Sequence, residues 1–348
     1  MFDVCIKGGL IVNHNHSYKG DLYVKDGKIA AIGTPEENFD VKETINAAGM
    51  IVVPGFIDPH SHLNDPGYTE AEDFYTGTCS AAAGGITTVM EHPLTDPLPA
   101  NKKTLIDKRN IVDPKAVVDY ALFGACTPDN FEDVVDMIDT GAVAFKAFLT
   151  SSPEMPEISD FQIIHHMKNL KDRGPVLPIH CENENIIQGT KKQFIEEGRI
   201  GPMDHCESRP EISEAEAINR MCLFAEHTKG KVHIVHCSIP EGIDIVENFK
   251  KRGANVTVET CPHYLYFDQN DVEKWGVYAI CNPPIRTRMT VEKLWEKVLQ
   301  GNVDFIGSDH APYTFEEKEK GSKNMFNTPA GFSGIQTGYM AFFSEGVN

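Results

Sequence analysis

The chain has 348 residues, 41% of them hydrophobic, enough for one large domain or a large domain with a small companion. Its 51 acidic residues outnumber 32 basic ones, a formal net charge of −19 at pH 7, and such a surface repels nucleic acid and anionic membranes. Charges interrupt every apolar run short of a membrane span, and the opening MFDVCIKGGLIV lacks a secretory pattern, so a cytoplasmic location is expected. The nine cysteines are odd in number, form no C-x-x-C pair and mostly adjoin apolar residues; they read as reduced thiols rather than a disulfide framework.

Residues 1–52 read as short strands, FDVCIKGG, LIVN, DLYVK and KIAAIG, with a hairpin signal at Asp26-Gly27. They are expected to form a partial small β-sandwich domain. From residue 53 to 348 the texture is that of one larger domain, although its first apolar run starts slightly earlier. Eight runs alternate with helical stretches: 51–58, 84–92, 117–125, 142–149, 175–180, 231–237, 255–260 and 303–309. FEDVVDMIDTG and EAEAINRMCLFAEHTKG, between runs, are amphipathic. Continuous apolar runs mark strands buried on both faces of a parallel sheet. Eight of them, each followed by a helix, predict an α/β fold of TIM (β/α)8 barrel type; a doubly wound open sheet is the alternative.

Six residues fall at or near the C-terminal ends of these strands, where barrel enzymes keep their sites. His60 and His62 lie in Asp-Pro-His-Ser-His, two residues apart and so on one side of an extended backbone. Lys146 lies late in the fourth run, His180 ends the fifth, His236 closes the sixth and Asp309 the eighth. Taken singly, H-x-H is more often a surface or turn pair, a strand-end histidine a rim residue, and Asp309 as readily a helix N-cap. Lys146 inside AVAFKAFL is harder to set aside, because a buried ammonium needs a partner or a changed charge state. Four histidines, a lysine and an aspartate at successive strand ends point together to a metal site.

The motifs PGFIDPHSHLNDPG (54–67), AAAGGITTV (81–89), FKAFL (145–149), HCEN (180–183), VHCS (235–238), ETCPHYL (259–265), NPPIR (282–286) and SDHAP (308–312) resemble the amidohydrolase superfamily. The branch is that of cyclic amidases: allantoinases, dihydroorotases and hydantoinases. The resemblance implies two divalent metal ions, zinc fitting the nitrogen and oxygen donors. His60 and His62 would bind one ion and His180 and His236 the other. Lys146 would react with carbon dioxide to give a carbamate bridging both. Asp309 would bind the first metal and act as the catalytic proton carrier. Two such ions roughly 3.5–4 Å apart can share one hydroxide that attacks a cyclic amide. A small-molecule cyclic amide substrate and a homo-oligomer, dimer or tetramer, are implied as well.

Dihydroorotases usually hold a substrate carboxylate with an Arg, an Asn and a His where this chain has Asn64, Leu94 and Tyr313. A neutral amide does not replace a bidentate guanidinium. The hydantoinase Tyr that would follow the lysine strand is absent from FLTSSP, whereas HPL, HCEN and SRPEISEAEAINR (208–220) look like allantoinases. The expectation is therefore hydrolysis of a ureide or hydantoin-type ring, allantoinase-like, with Asn64, Asn282 and the backbone at Ala330 contacting substrate. Alternatives are a dihydroorotase, with Arg286 or Arg288 as replacement anchor, and a catalytically silent scaffold subunit. Family members usually continue further and complete the small β-domain from both chain ends, so the strands of 1–52 are expected to lack partners.

Overall fold

Phe2–Val12 forms one long strand (β1), where two short ones were expected. Its register shifts between Ile6 and Gly9, and Gly8 at φ +77° takes up the irregularity. Ser17–Lys25 (β2) and Lys28–Gly33 (β3) follow antiparallel. Asp26 and Gly27 join them at φ 51° and 70°, the left-handed pair a two-residue hairpin turn requires. Val41–Asn46 (β4) and Ile51–Val52 (β5) pair parallel with β1. The polar text of β4 gave no strand signal. Ile29 of β3 and Ile45 of β4 are exposed. The computed structural model describes residues 1–33, 39–152 and 154–347, and its chain separates into two units, Met1–Phe56 and Ile57–Asn348.

The barrel strands follow. They are Phe56–Ser61 (β6), Ile86–Glu91 (β7), Asp119–Leu122 (β8), Gly124–Ala125 (β9), Phe145–Phe148 (β10), Leu177–His180 (β11), Val232–Ile234 (β12), Val256–Thr260 (β13) and Phe305–Ile306 (β14). β8 and β9 are two halves of the third apolar run, interrupted at Phe123. Neighbours in the order β6-β7-β8 and β9 through β14 are hydrogen-bonded. The ring closes where Ser61 bridges His310 and His62 N donates to His310 O at 2.7 Å. This is the TIM barrel expected from the eight runs. The first run differs from expectation: its leading residues, Ile51 and Val52, pair with β1, and the barrel strand begins at Phe56.

Every residue of β10 and β11 is buried, as strands covered on both faces should be. Between strands, helices such as Phe131–Asp139 bury an apolar stripe, here Val134 and Met137. Side-chain caps set the helix starts: Asp73 accepts from Thr76 N before Phe74–Ala83, and Asn101 from Thr104 N before Lys102–Val112. The loops that precede these caps carry the functional side chains. All nine cysteines are unpaired, and eight are buried. Among the described residues no helix is long and apolar enough to cross a membrane.

Candidate metal centre

His60 lies within β6, one residue before its end, and His62 directly follows the strand. Their Nε2 atoms lie 3.1 and 3.5 Å from Oδ1 of Asp309, whose side chain is 13% exposed. Across the barrel mouth, His180 ends β11 and its Nδ1 is 2.9 Å from Nε2 of His236. The His60 and His236 rings are 5.4 Å apart between centroids. Thus four of the expected histidines and Asp309 form two adjoining groups. His236 and Asp309 both adopt positive φ, 41° and 46°, a conformation L-residues take at a cost of about 1–3 kcal/mol and typically at functional sites.

Lys146, in β10, is wholly buried and its Nζ has no hydrogen-bond partner. It lies 5.0 Å from the Phe148 ring centroid. Burial pushes its pKa down to about 8, only partly opposed by Asp309 and Glu259. An amine so shifted reaches its neutral, nucleophilic form far more readily than an ordinary lysine.

Carboxylates behind the rings set which nitrogen is free. Glu259 bonds His60 Nδ1 and, with its other oxygen, His233 Nε2 at 3.1 Å. Burial alone would raise its pKa, but His60 and His233 hold it well below the usual carboxylate range. The His60 proton therefore sits on Nδ1 and the Nε2 lone pair faces Asp309. Glu182 bonds His180 Nε2 at 2.8 Å, which leaves His180 Nδ1 as the open donor atom. Burial raises the pKa of Asp309, but the His60 and His62 rings outweigh it and bring it to about 2. Burial pushes His60, His180 and His236 down, so all three rings are neutral near pH 7, the form that can bind a metal. Four ring nitrogens, a carboxylate oxygen and an unpartnered amine at one barrel end fit divalent cations that take nitrogen and oxygen donors.

Two histidines escaped the sequence reading. His92 follows β7 and stacks on His60, with centroids 3.8 Å apart and planes 10° from parallel. His60, His62 and His92 offer ligand atoms within 4.8 Å of one another, as do Cys261, His263 and Asp309. His92 Nδ1 and His263 Nε2 are buried without partners. The sequence signal for both is their position shortly after a strand end, inside the motifs HPL and ETCPHYL.

The expected substrate contacts lie in three loops. Asn64 adopts φ 60° and its Nδ2 donates to Pro312 O at 3.0 Å. Asn282 precedes a cis proline and its buried Oδ1 has no partner. Ala330 precedes Gly331, whose N donates to Ile280 O at 3.0 Å. Lys318, buried, donates to the carbonyls of Ile280 and Pro329 at 3.1 and 2.8 Å. Leu94 packs on Ala125, Phe148 and Met155. Neither arginine proposed as a replacement carboxylate anchor is free. Arg286 is buried and bonded to Glu214, Ser238 and the Arg209 carbonyl, and Arg288 pairs with Asp268 at 2.7 Å.

The chain is similar to known proteins over nearly its whole length. Residues 51–344 match the model of the amidohydrolase family. An allantoinase of Deinococcus radiodurans is 34% identical over 347 residues, which is 99% of this chain and 77% of that protein. An allantoinase of Escherichia coli O1:K1 is 34% identical over 353 residues with the same coverage. Among solved structures, an L-hydantoinase (dihydropyrimidinase) from Arthrobacter aurescens superposes with a TM-score of 0.96 at 32% identity, covering 100% of this chain and 78% of that one. A D-hydantoinase gives 0.91 at 31%, covering 99% and 77%. The chain belongs to the amidohydrolase family. With relatives and neighbours of these kinds, it is an enzyme of the cyclic amidohydrolase class.

Proposed function

We propose that this enzyme opens the ring of an uncharged cyclic ureide, allantoin or a 5-substituted hydantoin, by hydrolysing a ring C–N bond. The observation that carries the reading is the convergence of His60, His62 and Asp309 beside His180 and His236, with the unpartnered Lys146 amine buried at the same strand ends. His60, His62 and Asp309 would hold one divalent ion and His180 and His236 the other, with Lys146 joining them as its carbamate. Zinc ions so held supply a Lewis acid for the amide carbonyl and lower the pKa of water toward neutrality.

The chain's own groups do the rest. Asp309, a carboxylate at any pH above about 2, takes a proton from the attacking water and delivers it to the leaving ring nitrogen. Amide resonance makes that nitrogen a poor leaving group, so protonation is required of it. Asn282 offers an unpartnered amide oxygen to a ring N–H, and the backbone at Ala330 offers a second contact on the facing loop. Asn64 shapes the first loop, with one end of its amide already bound to Pro312. A cytoplasmic location and a dimeric or tetrameric assembly of this chain belong to the same reading.

The test is a ring-opening screen over allantoin, hydantoins, dihydrouracil and dihydroorotate, with elemental analysis of the same preparation purified without chelator. The expected result is about two divalent ions per chain and fastest turnover of a neutral five-membered ureide. Metal-loaded protein that opens none of these rings would end the proposal and leave a scaffold role.

A further inference from the structure

Behind the His180–His236 pair runs a chain of buried charges that the reaction itself does not use. Glu182 is fully buried; it bonds His180 Nε2 at 2.8 Å and receives both Nε and Nη2 of Arg209, at 3.0 and 2.6 Å. The carbonyl of Arg209 accepts from Nη1 of Arg286 at 2.6 Å. Arg286 also donates Nη2 to Glu214 at 2.8 Å and Nε to Ser238 Oγ at 2.9 Å. Glu214 then accepts from the backbone N and the hydroxyl of Ser238, at 2.8 and 2.5 Å. Ser238 is two residues beyond His236. The network begins at the ring of one histidine and ends on the backbone that carries the other. Two guanidinium groups face two carboxylates, so the charges balance where isolated ones would be costly to bury.

The other group of candidate ligands has a different support. His60 rests on Glu259, and Asp58 holds Ser308 beside Asp309 through both its N and its Oγ, at 2.9 and 2.5 Å. Glu259 also accepts from His236 N at 3.1 Å, so His236 has a second anchor. Among the described residues His180 has no such reserve: apart from His236, its ring bonds only Glu182, and Arg209 is the one arginine hydrogen-bonded to Glu182.

We propose that Arg209 and Arg286 are positioning residues for the second metal ion, Arg209 by aiming the Glu182 carboxylate at His180 Nε2 so that Nδ1 faces His236, and Arg286 by locking Arg209 to the Glu214–Ser238 segment. This rests on the two-metal reading above. A guanidinium fork is needed at Arg209 because both carboxylate oxygens must be fixed at once, and a lysine offers a point charge without that fork.

The experiment compares the unsubstituted holoenzyme with R209M, R209K, E182Q and R286M, measuring metal by elemental analysis and each ion's affinity by competition with a chromophoric zinc chelator. Circular dichroism and thermal melting check the fold. The account expects R209M and E182Q to keep about one ion per chain, with the second held 10- to 100-fold more weakly. R209K and R286M fall between these and the unsubstituted protein. Folded R209M that binds both ions with unaltered affinity would overturn the proposal, as would equal loss of both ions. If R209M does not fold, E182Q decides by the same two outcomes, since it keeps the side-chain shape. An unsubstituted enzyme carrying a single ion would instead overturn the two-metal reading.

Discussion

Lys146 Nζ stands 5.0 Å from the centroid of the Phe148 ring and has no hydrogen-bond partner, although the residue is wholly buried. A buried amine left without an acceptor is costly unless it loses its charge or is converted to an anion held by cations. Lys146→Ala is expected to lower metal content and reduce kcat by about 100-fold or more. A short carboxylic acid in the buffer is expected to restore part of both. Full activity and full metal loading in the Ala variant would show that the lysine joins nothing.

Stability is expected to fall in mild acid. His205, in the helix Pro202–Ser208, is pushed down to about 4 by burial, with Arg209 adding to the effect, and His263 reaches about 4 by burial. Their unfolded values lie near 6.5. Between about 6.5 and 4 the unfolded chain binds protons that the native chain refuses, so stability rises with pH there and is lost as pH falls. Asp309 has the opposite charge type: its depressed value costs stability only below its ordinary 3.8, toward 2. Melting temperature, followed with and without chelator from pH 7 to 4.5, should drop in both series. Activity should fall over the same range as ligand histidines protonate. A flat profile would contradict the assignment of these rings as buried and neutral.

Lys318 ties two loops together through the Ile280 and Pro329 carbonyls, which lie two residues before Asn282 and one before Ala330. Loss of a hydrogen bond from a charged donor costs about 1.5–3 kcal/mol. If the loops of Asn282 and Ala330 hold substrate while Asp309 carries the proton, as proposed, Lys318→Met raises KM roughly 10-fold while kcat changes less. Steady-state kinetics separate the two parameters; an unchanged KM would mean that neither loop contacts the ring.

Much of this molecule was legible in the sequence because its strands are buried on both faces. Apolar runs marked the eight barrel strands; the fifth and sixth end on or beside His180 and His236, and His60 and His62 follow the first within four residues. Chain direction beyond the strands was not legible. Asp309 reaches His60 only through a left-handed backbone after a two-residue strand, and β4 is polar enough to read as loop. Arg286 shows the remaining limit: a sequence reveals an arginine near a site but not that Glu214, Ser238 and the Arg209 carbonyl already occupy it. A lone histidine before a proline, as His92 is, has no spacing partner in sequence; its neighbour His60 comes from a different strand.

The central claim is a pocket for an uncharged ring. Asn64 is tied to Pro312, Leu94 sits in an apolar cluster, and Arg286 and Arg288 are committed to Glu214 and Asp268, so no described arginine among these is left to clamp a carboxylate. Each missing charged hydrogen bond is worth roughly 10- to 150-fold in rate if felt fully in the transition state. The direct measurement is kcat/KM for allantoin against dihydroorotate on one preparation at equal metal loading. The account predicts that allantoin leads by at least about 100-fold; a preference for dihydroorotate would contradict it.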